Sequence, residues 1–384
     1  MASMFGNQLT LTAIPYEVYV TTHSYLWVGT VSLIQLPFLV GGSLWGGAFG
    51  DHVDRRRIMM VTALLLALVS AALGVNATLT HPSFGVLLAL AGVSAALAGF
   101  SNPARNASIP RLVKPEQLVG AYSLNQVIIQ IATIAGPSMA GLFIATVGLS
   151  ACYYIDAVTF VALFIATVMM SPLPPIGDVE REGTWRSIKG GFSYVRGHVT
   201  AQCVYLVDLG AMIFGMPNAL FPGIAHSWYG GGPVVYGLLM SAPGVGALLG
   251  AITTGWVERI ERRGRAVVVA VCVWGGAIAA FGVTRTLWLG LVFLAIAGWA
   301  DVISAVLRNT ILMSTISDKF RGRLSSIQMA VVQGGPRLGN FEAGVVANAV
   351  SVEFSVVFGG LASVACAIAI AAWRPSFWKD RVEV

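Results

Sequence analysis

"GGAFGDHVDRRRIMM", Gly46 to Met60, sets two acids three residues apart against three consecutive arginines, in a chain of 384 residues that is 56% hydrophobic and only 10% charged. The cluster returns 207 positions later as "ERIERR", Glu258 to Arg263. A soluble domain averages about 25% charged residues, so such a cluster must sit where an otherwise apolar chain comes up to water. The composition makes a bilayer the solvent, and the repetition makes the chain a duplicated one.

Outward from Gly46 the sequence divides into spans. A hydrocarbon core about 30 Å thick is crossed by about 20 helical residues. Twelve apolar runs of that kind succeed one another, from Ser3–Thr21 and Leu26–Phe49 to Leu324–Ala349 and Phe354–Trp373. An even number puts both termini on one side, and the excess of basic residues marks that side as the inner one. With the termini inside, all but two of the 23 Lys and Arg residues fall in inner segments, the exceptions being Arg285 outside and Arg337 within a span. Shifting the frame by one span scatters this asymmetry. The longest polar stretch, Ser171–Val199, opens with "SPLPP" and lies midway.

The expected fold is an all-α integral membrane protein of twelve transmembrane helices in two pseudo-symmetric six-helix bundles, residues 1–170 and 200–384. The linker, residues 171–199, carries Trp185, Ile188, Phe192 and Val195 at helical spacing, which predicts a short amphipathic helix on the inner leaflet or a plain solvated one. Further echoes fit a duplication: "ARN" at Ala104–Asn106 against "LRN" at Leu307–Asn309, and Gly136-Pro137 against Gly335-Pro336. Duplicated halves are a mark of transporters, whose substrate site lies near the membrane midplane.

Other classes are poorly supported. No basic stretch carries the interleaved aromatics or zinc-finger spacing of a nucleic-acid partner. Cys152, Cys203, Cys272 and Cys366 are solitary and apolar in setting, so they read as packing residues. There is no H-x-x-x-H pair, G-x-S-x-G elbow or phosphate-binding loop, so no metal, cofactor, enzyme active site or ATP-driven step is expected. The Met1 end has no basic n-region or small-residue cleavage site and does not read as a signal peptide.

Over nearly its whole length the chain resembles the major facilitator superfamily. "GAFGDHVDRRRIM" is similar to that family's loop signature between helices 2 and 3, with Gly47, Asp51, Arg55 and Arg56 at matching positions, and with Phe49, His52 and Asp54 departing from it. "AGPSMAG" resembles the helix 5 signature of its exporting, antiporter branches through Gly136, Pro137 and Gly141, with Ala140 in place of a glycine. "NPARNASIPRLV", "FGMPNALFP" and "GGPRLGNFEAG" resemble the enterobactin-exporter and macrolide-efflux group. The resemblance implies a monomeric exporter in the cytoplasmic membrane, both termini cytoplasmic, moving a small amphipathic molecule, siderophore or drug, by alternating access against protons. An importer of the same fold and a transport-dead sensor or scaffold are the alternatives. It also implies an inner gate in which Asp51 accepts hydrogen bonds from a helix end in the other half and Arg55 pairs with an acid, with Glu258 and Arg262 as the counterpart; lipid-phosphate anchoring is the plainer role of the arginines.

Charge inside a span costs at least about 2.5–3.5 kcal/mol, so the few ionisable groups there draw the functional reading. Asp208 on helix 7 is the first candidate for proton coupling, then Glu17 on helix 1 and Asp156 on helix 6. Their structural alternatives are a bond to a neighbouring helix for Asp208, snorkelling for Glu17, and an interfacial cap or helix-to-helix bond for Asp156. Asp301 and Arg308, seven apart on one helix face, read as an internal pair, and Arg337 should take Glu17 or Asp208 as its partner. The family's proton-coupled exporters often carry an Arg in mid-helix 4, and here none precedes Arg105. Expected substrate-cavity residues are Tyr16, Gln35, Asn125, Gln126, Gln130, Phe214, Asn218, Gln328, Gln333, Arg337 and Glu342, because aromatic and amide groups suit a bulky amphipathic solute.

Overall fold

The computed structural model describes residues 2–50, 52–174, 193, 195–315 and 318–379. These residues are helical almost throughout, with no strand among them. The long helices in chain order are α1 (Ala2–Thr22), α2 (Tyr25–Gly50), α3 (Arg55–Thr78), α4 (Phe84–Leu112), α5 (Leu118–Thr146), α6 (Leu149–Val168), α7 (Val199–Phe214), α8 (Gly232–Thr253), α9 (Arg263–Val283), α10 (Leu287–Thr315), α11 (Asp318–Ala349) and α12 (Val352–Trp373). Ten spans in the described residues are long and apolar enough to cross a membrane. The helices that fall short are the polar ones: α1 carries Asn7, Gln8 and Glu17, and α11 carries Arg337 and Glu342. Leu68, Val158 and Val245 lie exposed near the middle of their helices, an apolar exterior that only lipid would cover.

The seventh apolar run of the sequence, Thr200–Ala225, is not one continuous helix. α7 stops at Phe214, and the chain turns through a 3-10 segment, Pro217–Leu220, into a short helix, Phe221–Ser227. Pro217 has no N–H to continue the ladder; the Asn340 side chain of α11 instead accepts from the Ala219 N–H at 3.2 Å.

The chain divides into two compact units. The first is built on α1–α6 and takes in Gly230–Ser241; the second is built from α7 onward and takes in Val28–Thr30. Both use glycine to bring backbones together, and they do so at equivalent places. In the first, a Cβ on Gly42 would lie 2.1 Å from the Ala96 carbonyl oxygen, one on Gly46 2.1 Å from that of Phe100, and one on Gly99 2.3 Å from that of Leu39, locking α2 onto α4. In the second, a Cβ on Gly246 would lie 1.8 Å from the Ala295 carbonyl oxygen, one on Gly250 3.1 Å from that of Trp299, and one on Gly298 1.9 Å from that of Pro243, locking α8 onto α10. Close small-residue packing of this kind drives helix association where lipid supplies no hydrophobic force.

The charge cluster that opened the sequence reading caps helices in the first unit. Asp54 is the N-cap of α3, accepting from the Arg56 N–H at 2.9 Å and from the Leu173 N–H at 3.0 Å. Arg55, buried, donates to the Ala107 carbonyl of α4 at 3.1 Å. Arg56 donates to the carbonyls of Thr167 and Val168 at the end of α6, where cations complement the helix dipole. In the described part of the second cluster, Arg262 stands at the N-cap of α9 with its side chain exposed and makes no side-chain cap bond. Asp51, the side chain of Glu258 and nearly all of the linker lie outside the described residues.

Candidate functional site

The first unit buries two acids among hydroxyls. Asp156 of α6 is 1% exposed; its Oδ2 accepts from Thr10 of α1 at 2.7 Å and from Ser70 of α3 at 2.8 Å. Its Oδ1 has no hydrogen-bond partner among the described residues. A Cβ on Gly6 would lie 2.7 Å from that same oxygen, so glycine there is what lets α1 reach α6. Three residues before Asp156, one turn away on the same face, the fully buried Tyr153 donates its hydroxyl to Glu17 Oε2. Glu17 Oε1 is also unpartnered. Glu17 is therefore a buried group and does not snorkel. Asp156 is a three-helix node and not an interfacial cap. Thr10, Ser70 and Tyr153 carry no charge and went unremarked in the sequence, although Thr10 shares a helix face with Glu17 seven residues on.

The second unit buries its acid against a cation. Arg308 of α10, 4% exposed, reaches Asp208 of α7 at 2.9 Å, donates to Ser304 at 3.0 Å and lies 3.9 Å from Asp301. Asp208 is enclosed, while the Asp301 side chain is 51% exposed, so Arg308 bridges a dry carboxylate to an open one. The internal pair expected of Asp301 and Arg308 is thus the weaker half of a triad. Arg337 takes neither expected partner: it donates to the Gln333 carbonyl of its own helix at 2.8 Å.

The α5 signature is a packing device. Gly136 lies against Gln8 of α1, where a Cβ would come within 2.5 Å of the Gln8 Cβ. A Cβ on Gly141 would lie 2.4 Å from the Pro233 carbonyl, and one on Gly237 2.5 Å from the Pro137 carbonyl. Ser138 donates to Ser241 at 2.7 Å, completing the seam between α5 and the first turns of α8 within the first unit. Gly47 meets nothing that a Cβ would touch.

A cavity of about 450 Å³ opens inside the first unit among α1–α6. None of the residues expected to line a cavity lines this one. Tyr16 stacks obliquely on Tyr236, ring centroids 5.4 Å apart. Gln35, Asn125 and Gln130 are half-buried on α2 and α5, and Gln126 is exposed. Phe214 and Asn218 are half-buried at the break after α7, as are Gln328, Gln333 and Glu342 on α11.

A helical membrane protein of two units, each locked by matched glycine contacts and each burying acids, is built as a transporter. The full-length similarity to solved structures agrees: a nucleoside transporter, NupG, superposes with a TM-score of 0.78 over 99% of this chain and 98% of that one at 16% identity. A bacterial homologue of the iron transporter ferroportin gives 0.72 over 98% and 96% at 15% identity. The chain belongs to the transmembrane secretion effector family of the major facilitator superfamily, whose model matches residues 6–381. Curated relatives include the enterobactin exporter EntS of Citrobacter koseri, 25% identical over 85% of this chain and 78% of the relative, and that of Shigella boydii, 26% identical over the same shares.

Proposed function

We infer that this chain is a secondary active exporter of a small amphipathic molecule, siderophore or drug, across the cytoplasmic membrane, driven by proton influx through alternating access of its two units, with both termini cytoplasmic. The observation that carries the coupling is that Asp156 is buried against two hydroxyls and, among the described residues, pairs with no cation. A hydroxyl can donate to a carboxylate or accept from a carboxylic acid, so Asp156 can change charge without leaving a buried opposite charge behind. Glu17, held by the Tyr153 hydroxyl, has the same freedom. Asp208 does not, because taking its charge away leaves the buried Arg308 with only the more distant, open Asp301. Asp156 and Glu17 are therefore the proton carriers in this reading, and Asp208 with Arg308 is a fixed ion pair whose open neighbour, Asp301, is available to a solute.

The kinship to enterobactin exporters favours a siderophore among the possible cargoes. The test is efflux from proteoliposomes under an imposed pH gradient, comparing a catecholate siderophore with a macrolide and a tetracycline. Gradient-dependent movement of at least one, lost in Asp156→Asn, is expected. Movement indifferent to the gradient removes the proton from the mechanism, and no movement of any of the three leaves the exporter reading without a cargo.

A further inference from the structure

The cavity in the first unit has two unlike ends. At the end of the bundle that carries the start of α3 and the finish of α4 and α6, it is lined by Asn7, Ser101, Asn102 and Arg105. Further in, the walls are Leu39, Leu66, Ile129 and Phe160. Thr10 is three residues past Asn7, Ser70 four past Leu66, and Asp156 four before Phe160, so on three helices a lining residue stands about one turn from the Asp156 node.

Among the described residues at this end, Arg57, Arg105 and Lys114 have side chains that make no hydrogen bond or ion pair, and of these three Arg105 is the one in the cavity lining. Arg55, Arg56 and Arg111 each donate to a backbone carbonyl. Among the described residues neither a carboxylate nor a carbonyl pairs with Arg105, whose side chain is exposed at the cavity rim. A guanidinium presents a fork of donors matched to a planar oxyanion, and the Asn7 and Asn102 amides with the Ser101 hydroxyl add neutral donors around it. Toward the node the Asp156 carboxylate repels an anion, and Leu66, Ile129 and Phe160 supply an apolar wall beside the uncharged Gln8, Thr62 and Thr133. The two ends together select polarity and orientation. A volume of about 450 Å³ falls within the range of small-molecule sites.

We propose that this cavity is a binding site for an apolar-bodied organic anion, its carboxylate or similar oxyanion at Arg105 and its apolar body laid inward against Leu66, Ile129 and Phe160. Its part in export rests on the exporter reading above, whereas binding itself does not. An anionic phospholipid has the same chemistry, and the experiment separates the two sources.

The probe is radiolabelled 4-phenylbutyrate, measured by scintillation proximity on the purified full chain in maltoside detergent, with 4-phenylbutyramide as the neutral isostere. Saturable binding of the acid is expected, with the amide unable to compete. Arg105→Gln should weaken it about tenfold or more, the worth of one charge-assisted bond, while Arg111→Gln, outside the cavity, should leave it unchanged. Ala98→Phe, which fills the cavity and spares the charge, should abolish binding; Thr133→Phe, from α5, does the same job should the first variant fail to elute as a single species. Equal binding of acid and amide, or an Arg105→Gln protein that binds like the parent, overturns the proposal. So does displacement of the probe by stoichiometric phosphatidylglycerol, which would assign the site to lipid. Binding that follows this pattern in a protein that exports nothing upholds the cavity and sinks the exporter reading; efflux of a siderophore with no binding of the probe does the reverse.

Discussion

In the first unit Asp156 meets Thr10 and Ser70, and in the second Asp208 meets Arg308. The surrounding architecture is matched, since Gly42 and Gly46 do for α2 and α4 what Gly246 and Gly250 do for α8 and α10. What differs is the means of keeping an acid out of water. Neutral donors stabilise a carboxyl group in either charge state and so leave its proton free to move. A guanidinium commits the acid to its charge, because a lone buried cation is costly. Duplication preserved the frame of the two halves while their interiors took on different electrostatic work, one adaptable and one fixed.

The largest effect should come from splitting the fixed pair. Arg308→Gln leaves Asp208 enclosed and uncompensated, a loss of about 3–5 kcal/mol, seen as a large fall in thermal midpoint of the detergent-purified protein. Adding Asp208→Asn to the same chain should recover most of it. A double variant no more stable than the single one would show that the pair is not what ties α7 to α10. Next comes the shared frame. Gly246→Ala and Gly42→Ala would each put a methyl group about 2 Å from a carbonyl oxygen, costing about 3 kcal/mol through backbone displacement. Loss in one unit alone would end the claim that the two seams are equivalent.

How much of this was legible beforehand follows from how far apart the interacting residues lie. The spans and the repeated motifs are periodic or compositional, and a single sequence displays them. The glycine seams were half-visible: Gly42 with Gly46 and Gly246 with Gly250 repeat a spacing of four, but only coordinates show that each faces a carbonyl. The in-span acids were visible because charge is rare there. Their partners were not, since Thr10 and Asp156 are 146 residues apart and a threonine in a helix carries no signal of its own. What the loop motif does not display is that Arg55 and Arg56 also donate to carbonyls of α4 and α6. Arg105, near the end of helix 4, is set apart by its place in the cavity lining, which a single sequence does not display.

The repeated charge cluster gives a smaller and sharper contrast. Asp54 caps α3 and holds Leu173, whereas Glu261, its equivalent at the same offset, is exposed. Asp54→Ala should cost about 1 kcal/mol, the usual worth of an N-cap, and Glu261→Ala nothing measurable in the same thermal assay. Equal losses would restore a structural role to the second cluster and make the two loops alike after all.

The smallest effect on stability should accompany the largest on transport. Asp156→Asn keeps an oxygen to accept from Thr10 and Ser70, and side-chain hydrogen bonds inside membranes are worth on the order of 0.6 kcal/mol each, so the thermal midpoint should hardly move. The amide cannot carry the proton, and gradient-driven efflux should disappear while downhill exchange of the same solute persists. Asp208→Asn should give the opposite signature, because a buried Arg308 left with only the more distant, open Asp301 weakens the fold whether or not a proton is moved. An Asp156→Asn protein that still concentrates solute against its gradient would place the proton on Glu17 alone, or outside the first unit altogether. If Glu17→Gln is equally harmless, the division between an adaptable half and a fixed half fails, and the hydroxyl shell around Asp156 is then only the means by which α1, α3 and α6 are joined.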